Sequence, residues 1–287
     1  MSNPLLSAIA GSDKVSVRLA KTPAEIEAAQ RLRYQIFYDE FGAKPDDTVA
    51  ATKLDADKYD PVADHIIVVD TSGDVEKIVG TYRLIRKEPA DSVGGFYTSN
   101  EYDISALQSC GMSILELGRS CVLPDYRTRP VLQLLWQGIA NYVMVDHQIE
   151  LLFGCASFHG TDPEKISEQL SYLYHYHLAP PGLRPTALPD RFVKMDLHPK
   201  ESLNPKKIFN ELPPLIKGYL RVGSMVGDGA VIDEQFNTID VCIVLQTHLV
   251  TSRYKKHYER KTGQNMPIPE ELAGQTDADA EALFRRD

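Results

Sequence analysis

The chain has 287 residues, of which 43% are hydrophobic and 25% charged, enough to bury a sizeable core and too ordinary a mixture for a disordered or fibrous protein. A net charge of -9 argues against a general nucleic-acid binder, which needs clustered Lys and Arg; local basic spots remain at Arg127 and Arg129 in YRTRP and at Lys206 and Lys207. Apolar runs such as 66–69 and 241–245 fall far short of the roughly 20 residues of a spanning helix, and MSNPLLSAIAGSDK lacks the basic start and long apolar stretch of a signal peptide, so cytoplasmic residence is expected.

In chain order, Val15–Leu19 alternates and is short, as an edge strand does. Thr22 then Pro23, with Glu25 in the first turn, opens a helix, and Ile26, Ala29, Leu32 and Ile36 keep its period up to a stop at Gly42. Residues 65–69 and 77–87 are two strands around the hairpin loop Asp-Thr-Ser-Gly-Asp. A strand over 114–123 precedes a helix over 128–147, whose Val131, Leu134, Leu135, Gly138, Ile139, Tyr142 and Val143 share one broad face. A strand at 151–158, a helix over 162–177 capped by Asp162-Pro163, and an alternating strand at 191–197 follow. Residues 204–233 read as a helical insertion, with a helix starting at Pro213-Pro214 and ending near Gly223, before a last buried strand at 239–245. The sum is a mixed sheet with helices on both faces: one α/β domain over 1–250, and a polar tail over 251–287. The four cysteines, at 110, 121, 155 and 242, lack the spacing of a zinc site, and Cys155 and Cys242 sit in apolar runs as core residues.

Several charges lie inside elements that otherwise read as buried. Arg83 falls in V-G-T-Y-R-L-I, and Glu116 and Arg119 fall three apart in ILELGRSCV. Such a pair faces opposite sides of a strand unless a bulge intervenes, and Gly118 is the candidate bulge. Asp57, Asp60, Asp64 and His65 crowd the next strand's entrance, and Arg33 lies on the first helix. Buried ion pairs that fix register are one reading of each residue alone. Desolvation takes several kcal/mol per ion, roughly, so the set together points to a binding cleft.

The strand–helix order resembles the Gcn5-related N-acyltransferase fold. Within it Arg33-x-x-x-Phe37, Asp57 and Asp60, Arg83 and Glu116-x-x-Arg119 are similar in order and spacing to the acyl-homoserine-lactone synthases. The stretches ELGRSCVLPDYR, LFGCASFHGTDP and LPPLIKGYLRVGSMVGDGAVIDEQFNTIDVCIVL resemble the L-ornithine N-alpha-acyltransferases of ornithine lipid synthesis, a likeness running from about residue 30 to 255. That resemblance implies an acyl carrier protein bearing a 3-hydroxy fatty acid as donor, the α-amine of ornithine as acceptor, and lyso-ornithine lipid as product. Acetyl-coenzyme A users of the fold carry a glycine loop that cradles pyrophosphate; here it is Arg127-Thr-Arg-Pro-Val-Leu, which disfavours coenzyme A. Arg127 and Arg129 would then face the carrier's phosphopantetheine and acidic surface, or stand as two solvated arginines.

An α-ammonium must lose a proton before it can attack a thioester, and Glu116 is the candidate base. Arg119 and Arg83 would anchor the network or the acceptor carboxylate, while Asp57 and Asp60 would meet amines or pair with the arginines. Ser120, Cys121 and Val122 would line the donor, with backbone N–H groups near 120–121 for the oxyanion. Direct transfer is preferred to a Cys121 acyl-enzyme, and neither a metal nor a cofactor of the protein's own is expected. A long-chain product predicts a greasy channel and peripheral contact with the inner membrane surface, with residues 212–220 as candidate contact or core helix. The rival readings are an N-acyl amino acid or lactone-type synthase using another amine, and a non-catalytic acyl-carrier or lipid-binding module.

Overall fold

The computed structural model describes residues 9–12, 14–143 and 147–249. Its strands are β1 (Ile9–Ser12), β2 (Val15–Leu19), β3 (Asp64–Asp70), β4 (Lys77–Arg86), β5 (Tyr102–Asp103), β6 (Ile114–Val122), β7 (Leu151–His159), β8 (Thr186–Ala187), β9 (Phe192–Val193), β10 (Met225–Val226), β11 (Ala230–Asp233) and β12 (Thr238–Gln246). Strands β5 and β8 form a separate ribbon; the others make one sheet in the order β1-β2-β3-β4-β6-β7-β12-β11-β9, with β10 also on β12. Neighbours are antiparallel except β6 and β7, which run parallel.

The first helix, α1 (Pro23–Tyr34), starts as its sequence demands. The Glu25 amide donates to Thr22 Oγ1, and Thr22 N–H donates back to Glu25 Oε2, a closed capping box with Pro23 in the first turn. Its inner face buries Ala29, Leu32 and Arg33 together, and the coil widens into a π-helical turn over Gln35–Glu40 before Gly42. Helix α2 (Asp47–Thr52) follows, then α3 (Lys87–Ser92) and α4 (Ser105–Gln108). Helices α5 (Arg129–Asn141), α6 (Ser167–His177), α7 (Pro205–Glu211) and α8 (Pro214–Arg221) come later.

Period-two alternation splits the core in two. Tyr82, Leu84, Leu115, Leu117 and Leu152 join α5, α6, α7 and α8 through Leu134, Leu135, Leu173, Ile208 and Ile216. Ile85, Ile114, Leu151, Phe153 and Val244 pack instead with Tyr59, Phe96, Tyr102 and Leu107.

The centre of the sheet forks. Strand β6 pairs with β7 only from Ile114↔Leu151 to Glu116↔Phe153, and then the two strands part. Gly154 stands at the parting with φ +153°, and a Cβ there would fall onto the Leu117 carbonyl. On its outer side β7 stays paired with β12 throughout, from Thr238↔His159 to Gln246↔Leu151.

Some expectations change. Val15–Leu19 is not the edge, because β1 lies outside it. Of 191–197 only Phe192–Val193 is strand, and the insertion after Asn204 ends in β10 and β11 rather than in helix. The helix expected over 128–147 is α-helical only over Arg129–Asn141. Leu212, Ile216, Tyr219 and Leu220 are buried, and Tyr219 packs edge-on against Trp136, so that apolar face is consumed by the core and is not a membrane contact. No helix among the described residues is long and apolar enough to cross a membrane. The tail expected over 251–287 lies outside the described residues.

Candidate active site

Buried charge gathers on the sheet face beneath α1. Arg33, fully buried, donates from Nε to Asp55 at 2.7 Å and from both terminal nitrogens to Asp60 at 2.8 and 3.0 Å, and also reaches the Asp55 carbonyl. Arg83 donates to Asp57 at 2.6 Å and lies 3.5 Å from Asp60. Arg119 approaches Asp55 at 3.2 Å and Asp57 at 3.4 Å. Three arginines thus meet three aspartates, and each cation touches two carboxylates. Burial pushes the Asp57 carboxyl up, but Arg83 and Arg119 outweigh it and hold it at about 2. His65 sits beside Asp60 with its pKa lowered by burial, so it is neutral there.

Arg119 joins this network because β6 bulges. Opposite the step from Thr81 to Arg83 on β4, β6 runs from Cys121 to Gly118, one residue more. The left-handed residue is Arg119 itself, at φ +51°, and not Gly118. Its guanidinium lies 4.7 Å from the ring centres of both Tyr97 and Phe236. Phe236 in turn meets Phe37 edge-on at 5.9 Å, so Phe37 supports the site at one remove.

Glu116 does not pair with Arg119. Its Oε2 accepts from Tyr97 N–H at 2.9 Å, and its Oε1 from the amide and hydroxyl of Thr98. The side chain is buried, which raises its pKa, while these three bonds oppose the rise. Glu116 therefore anchors the Tyr97–Asn100 turn that carries Tyr97 against Arg119.

Across the fork lies a second cluster that the sequence reading missed. Glu101, Asp233 and Asp240 are all buried, with one carboxylate oxygen of each within 4.8 Å of the others, a set that could also hold a metal ion. Asp233 accepts from the amides of Gln235 and Phe236, and Cys155 Sγ donates to Glu101 at 3.2 Å. Burial first, and the nearby Asp240 next, push Glu101 up to about 8; burial pushes Asp240 up to about 6 against the hydroxyls of Ser157 and Thr238. The folded chain therefore keeps protons here that unfolded carboxylates release near pH 4. Stability should fall as pH rises from about 5 to about 8, because ionising the pair disfavours the fold. Urea midpoints at pH 5, 6.5 and 8 check this, and Glu101→Gln should flatten the slope. A flat wild-type profile would mean that the charges at Arg191, Arg119, Asp233 and Asp240 already balance Glu101.

The residues expected around the donor divide. Val122 and Cys121 are buried, and burial drives the Cys121 thiol up to about 12. Ser120 is half-buried at the bulge. Arg127 grips Glu40 through both terminal nitrogens at 2.6 and 2.7 Å and donates from Nε to the Val122 carbonyl, in an ion pair open to solvent. Arg129 opens α5, and its side chain lies outside the described part.

A family model described as "Acetyltransferase (GNAT) domain" matches residues 32–137, from within α1 to within α5. The chain is 47% identical over 249 residues to the L-ornithine N(alpha)-acyltransferase of Brucella abortus (strain 2308), covering 85% of this chain and 88% of that one. It is 43% identical over 248 residues to the protein of the same name from Rhodobacter capsulatus, covering 85% and 95%. A solved CoA-dependent acyl-homoserine lactone synthase aligns over 94% of this chain and 99% of its own, with TM-score 0.46 and 14% identity.

Proposed function

The chain belongs to the L-ornithine N(alpha)-acyltransferase family, and we propose that it moves a 3-hydroxy fatty acyl group from acyl carrier protein to the α-amine of L-ornithine, giving lyso-ornithine lipid. The observation that carries this reading is the fork between β6 and β7, with Arg83 and Arg119 on one arm and Glu101, Asp233 and Asp240 around the other.

Beyond Glu116 the edge of β6 that faces β7 has no ladder partner. The phosphopantetheine arm of an acyl carrier contains two amides, and an extended chain with amides can add to such an edge as a strand would. The thioester carbonyl then lies by the bulge at Arg119 and Ser120, where backbone N–H groups can receive the developing oxyanion. The amine, already deprotonated, forms the C–N bond; the tetrahedral carbon collapses with loss of the C–S bond; the nitrogen gives up its second proton and the leaving thiolate gains one. Guanidiniums at Arg83 and Arg119 suit the acceptor carboxylate, although both also serve Asp57.

In this reading Glu116 is a positioning residue, in place of the base that the sequence suggested, since both its oxygens are engaged by Tyr97 and Thr98. Glu116→Gln puts an amide N–H₂ against backbone donors, and should lower kcat/KM by tenfold or more, roughly, with the shape of the pH–rate profile kept. Loss of the acidic limb of that profile would restore it as the base. The Cys121 thiol, protonated at neutral pH and packed in the core, is no acyl carrier. Intact-mass spectra during turnover should show no acyl adduct, and Cys121→Ala should cost about 1 kcal/mol of stability without abolishing activity. An adduct on Cys121 would overturn direct transfer.

The reaction is tested with purified protein, 3-hydroxyacyl carrier protein and ornithine, with lysine, tyrosine and S-adenosylmethionine in parallel and the coenzyme A thioester as a second donor. Lyso-ornithine lipid from the carrier-borne acyl group is the expected product. Another amine as sole acceptor would move the substrate, and no N-acyl product from any of them would overturn the proposal. At about 0.8 kcal/mol per methylene, the product's chain favours delivery into a lipid surface, so peripheral membrane contact belongs to the same proposal.

A further inference from the structure

We propose that Glu101, Asp233 and Asp240 form the pocket for the side-chain ammonium of a diamino-acid acceptor, and thereby fix which of its two nitrogens is acylated. This rests on the amine-acylating reading above and adds the recognition of the nitrogen that does not react.

Charge balance is the first ground. Asp55, Asp57 and Asp60 face Arg33, Arg83 and Arg119, three against three. Among the described residues, the one cation in ion-pair contact with Glu101, Asp233 and Asp240 is Arg191, whose side chain is 40% exposed and whose nearest nitrogen is 3.7 Å from Glu101. Buried carboxylates without a cation are costly, which is why Glu101 holds its proton up to about 8 in the free chain; a cation from outside takes that proton's place and removes the cost.

A second ground is independent of the count. Among the described residues nothing hydrogen-bonds the buried Asp240 Oδ1, nor the buried hydroxyl of Thr238 two residues away on the same face of β12. The neighbouring groups are Ser157 and Thr238, whose hydroxyls bear on Asp240 without giving Oδ1 a bond of proper geometry. An ammonium has three N–H donors and no acceptor. Three oxygens that each accept from one tetrahedral nitrogen at about 2.9 Å stand at most about 4.7 Å apart, and one oxygen from each of the three carboxylates here lies within 4.8 Å of the others, close enough for one ammonium to reach all three.

Position is the third. Asp240 pairs with Ser157 on β7, past the point where β6 and β7 part. The Arg119 guanidinium lies 4.7 Å from the ring centres of Tyr97 and Phe236, and the Phe236 amide donates to Asp233 at 2.9 Å, so the acidic pocket and the basic arm share one site. An amino acid lying across the fork can set its carboxylate on the arginine side and its side chain on the acidic side.

The electrostatics also say which nitrogen belongs there. Nearby anions favour the charged form of an amine, and a charged amine has no lone pair for attack. The pocket therefore suits the nitrogen that stays protonated, and the other one, outside it, is left to reach the thioester.

The test uses the full chain and one carrier-borne donor, with paired acceptors: ornithine against norvaline, and lysine against norleucine. Each des-amino analogue keeps the α-amino acid and the carbon chain and lacks the side-chain nitrogen. The wild type should favour the diamino acid of at least one pair by at least about 100-fold in kcat/KM, chiefly through KM, with Nα as the acylated position by fragmentation. Asp240→Asn and Glu101→Gln, folded by their urea midpoints, should shrink that ratio at least tenfold. Norvaline used as well as ornithine, or variants that slow both members of a pair equally, would overturn the pocket. Calorimetry of ornithine and norvaline binding to the wild type needs neither turnover nor a variant. If no amine is acylated but ornithine binds and norvaline does not, the reaction falls and the pocket stands; if neither binds, the pocket falls. Stoichiometric Mg²⁺, Ca²⁺ or Mn²⁺ that competes with ornithine would assign the carboxylates to a metal and overturn it too.

Discussion

Gly154→Ala is expected to lower the unfolding free energy by about 3 kcal/mol and kcat/KM by about 100-fold. The residue sits where β7 leaves β6, with φ in a region that L side chains rarely adopt, and a Cβ would occupy the space of the Leu117 carbonyl. A flexible side chain could swing aside, but the neighbour here is backbone inside a sheet. Relief therefore means moving β6 or β7 as a whole, and both carry the site. Urea denaturation reads the first effect, and steady-state acylation at saturating carrier reads the second. An alanine variant with the wild-type midpoint and rate would show that the strands part for some other reason.

Arg33→Met should be at least as severe in stability, by about 3–5 kcal/mol. Methionine fills the volume and keeps the helix, so the loss is electrostatic. It leaves Asp55 and Asp60 buried with the more distant cations Arg119 and Arg83 as their remaining arginine contacts, beside hydrogen bonds from the Tyr38 hydroxyl and the Asp57 amide. Arg33→Lys should recover part of this, because one ammonium cannot span the two carboxylates as the guanidinium does. The control is two residues away on the same helix: Arg31 pairs with Glu27 at 2.7 Å in solvent, and Arg31→Ala should cost less than about 1 kcal/mol. Equal losses at the two positions would remove any special role for the buried network.

Much of this architecture is written locally. Thr22, Pro23 and Glu25 close the capping box that they suggest, and Asp-Thr-Ser-Gly-Asp turns β3 into β4. Arg83, Glu116 and Arg119 betrayed a site because charge inside an apolar run demands a partner. Their partners were harder to read. Glu116 and Arg119 look like one motif, yet one holds the turn at Tyr97 and Thr98 and the other joins Asp55 and Asp57. The bulge was expected at Gly118, since glycine enters the left-handed region without strain; Arg119 adopts it instead, held by two carboxylates and two rings. Asp240 carried the same signal as Glu116, a charge within an apolar strand. Glu101 carried none, because it sits in an irregular stretch whose approach to β12 is set by long-range pairing. Arg127 was visible as a basic residue, but its Glu40 partner lies on a distant turn.

Among the described residues, β12 is the last strand of the sheet to be made, and it lies in the interior, between β7 and β11. On the ribosome, β7 must therefore wait as an unpaired edge while the whole stretch that includes α6, α7 and α8 is synthesised, and only then can residues 238–246 slot in. Asp240 arrives with that strand, so the acidic half of the site appears in the same late step that seals the nascent sheet, and a transcript cut short before it would release a chain with a bare, aggregation-prone β7.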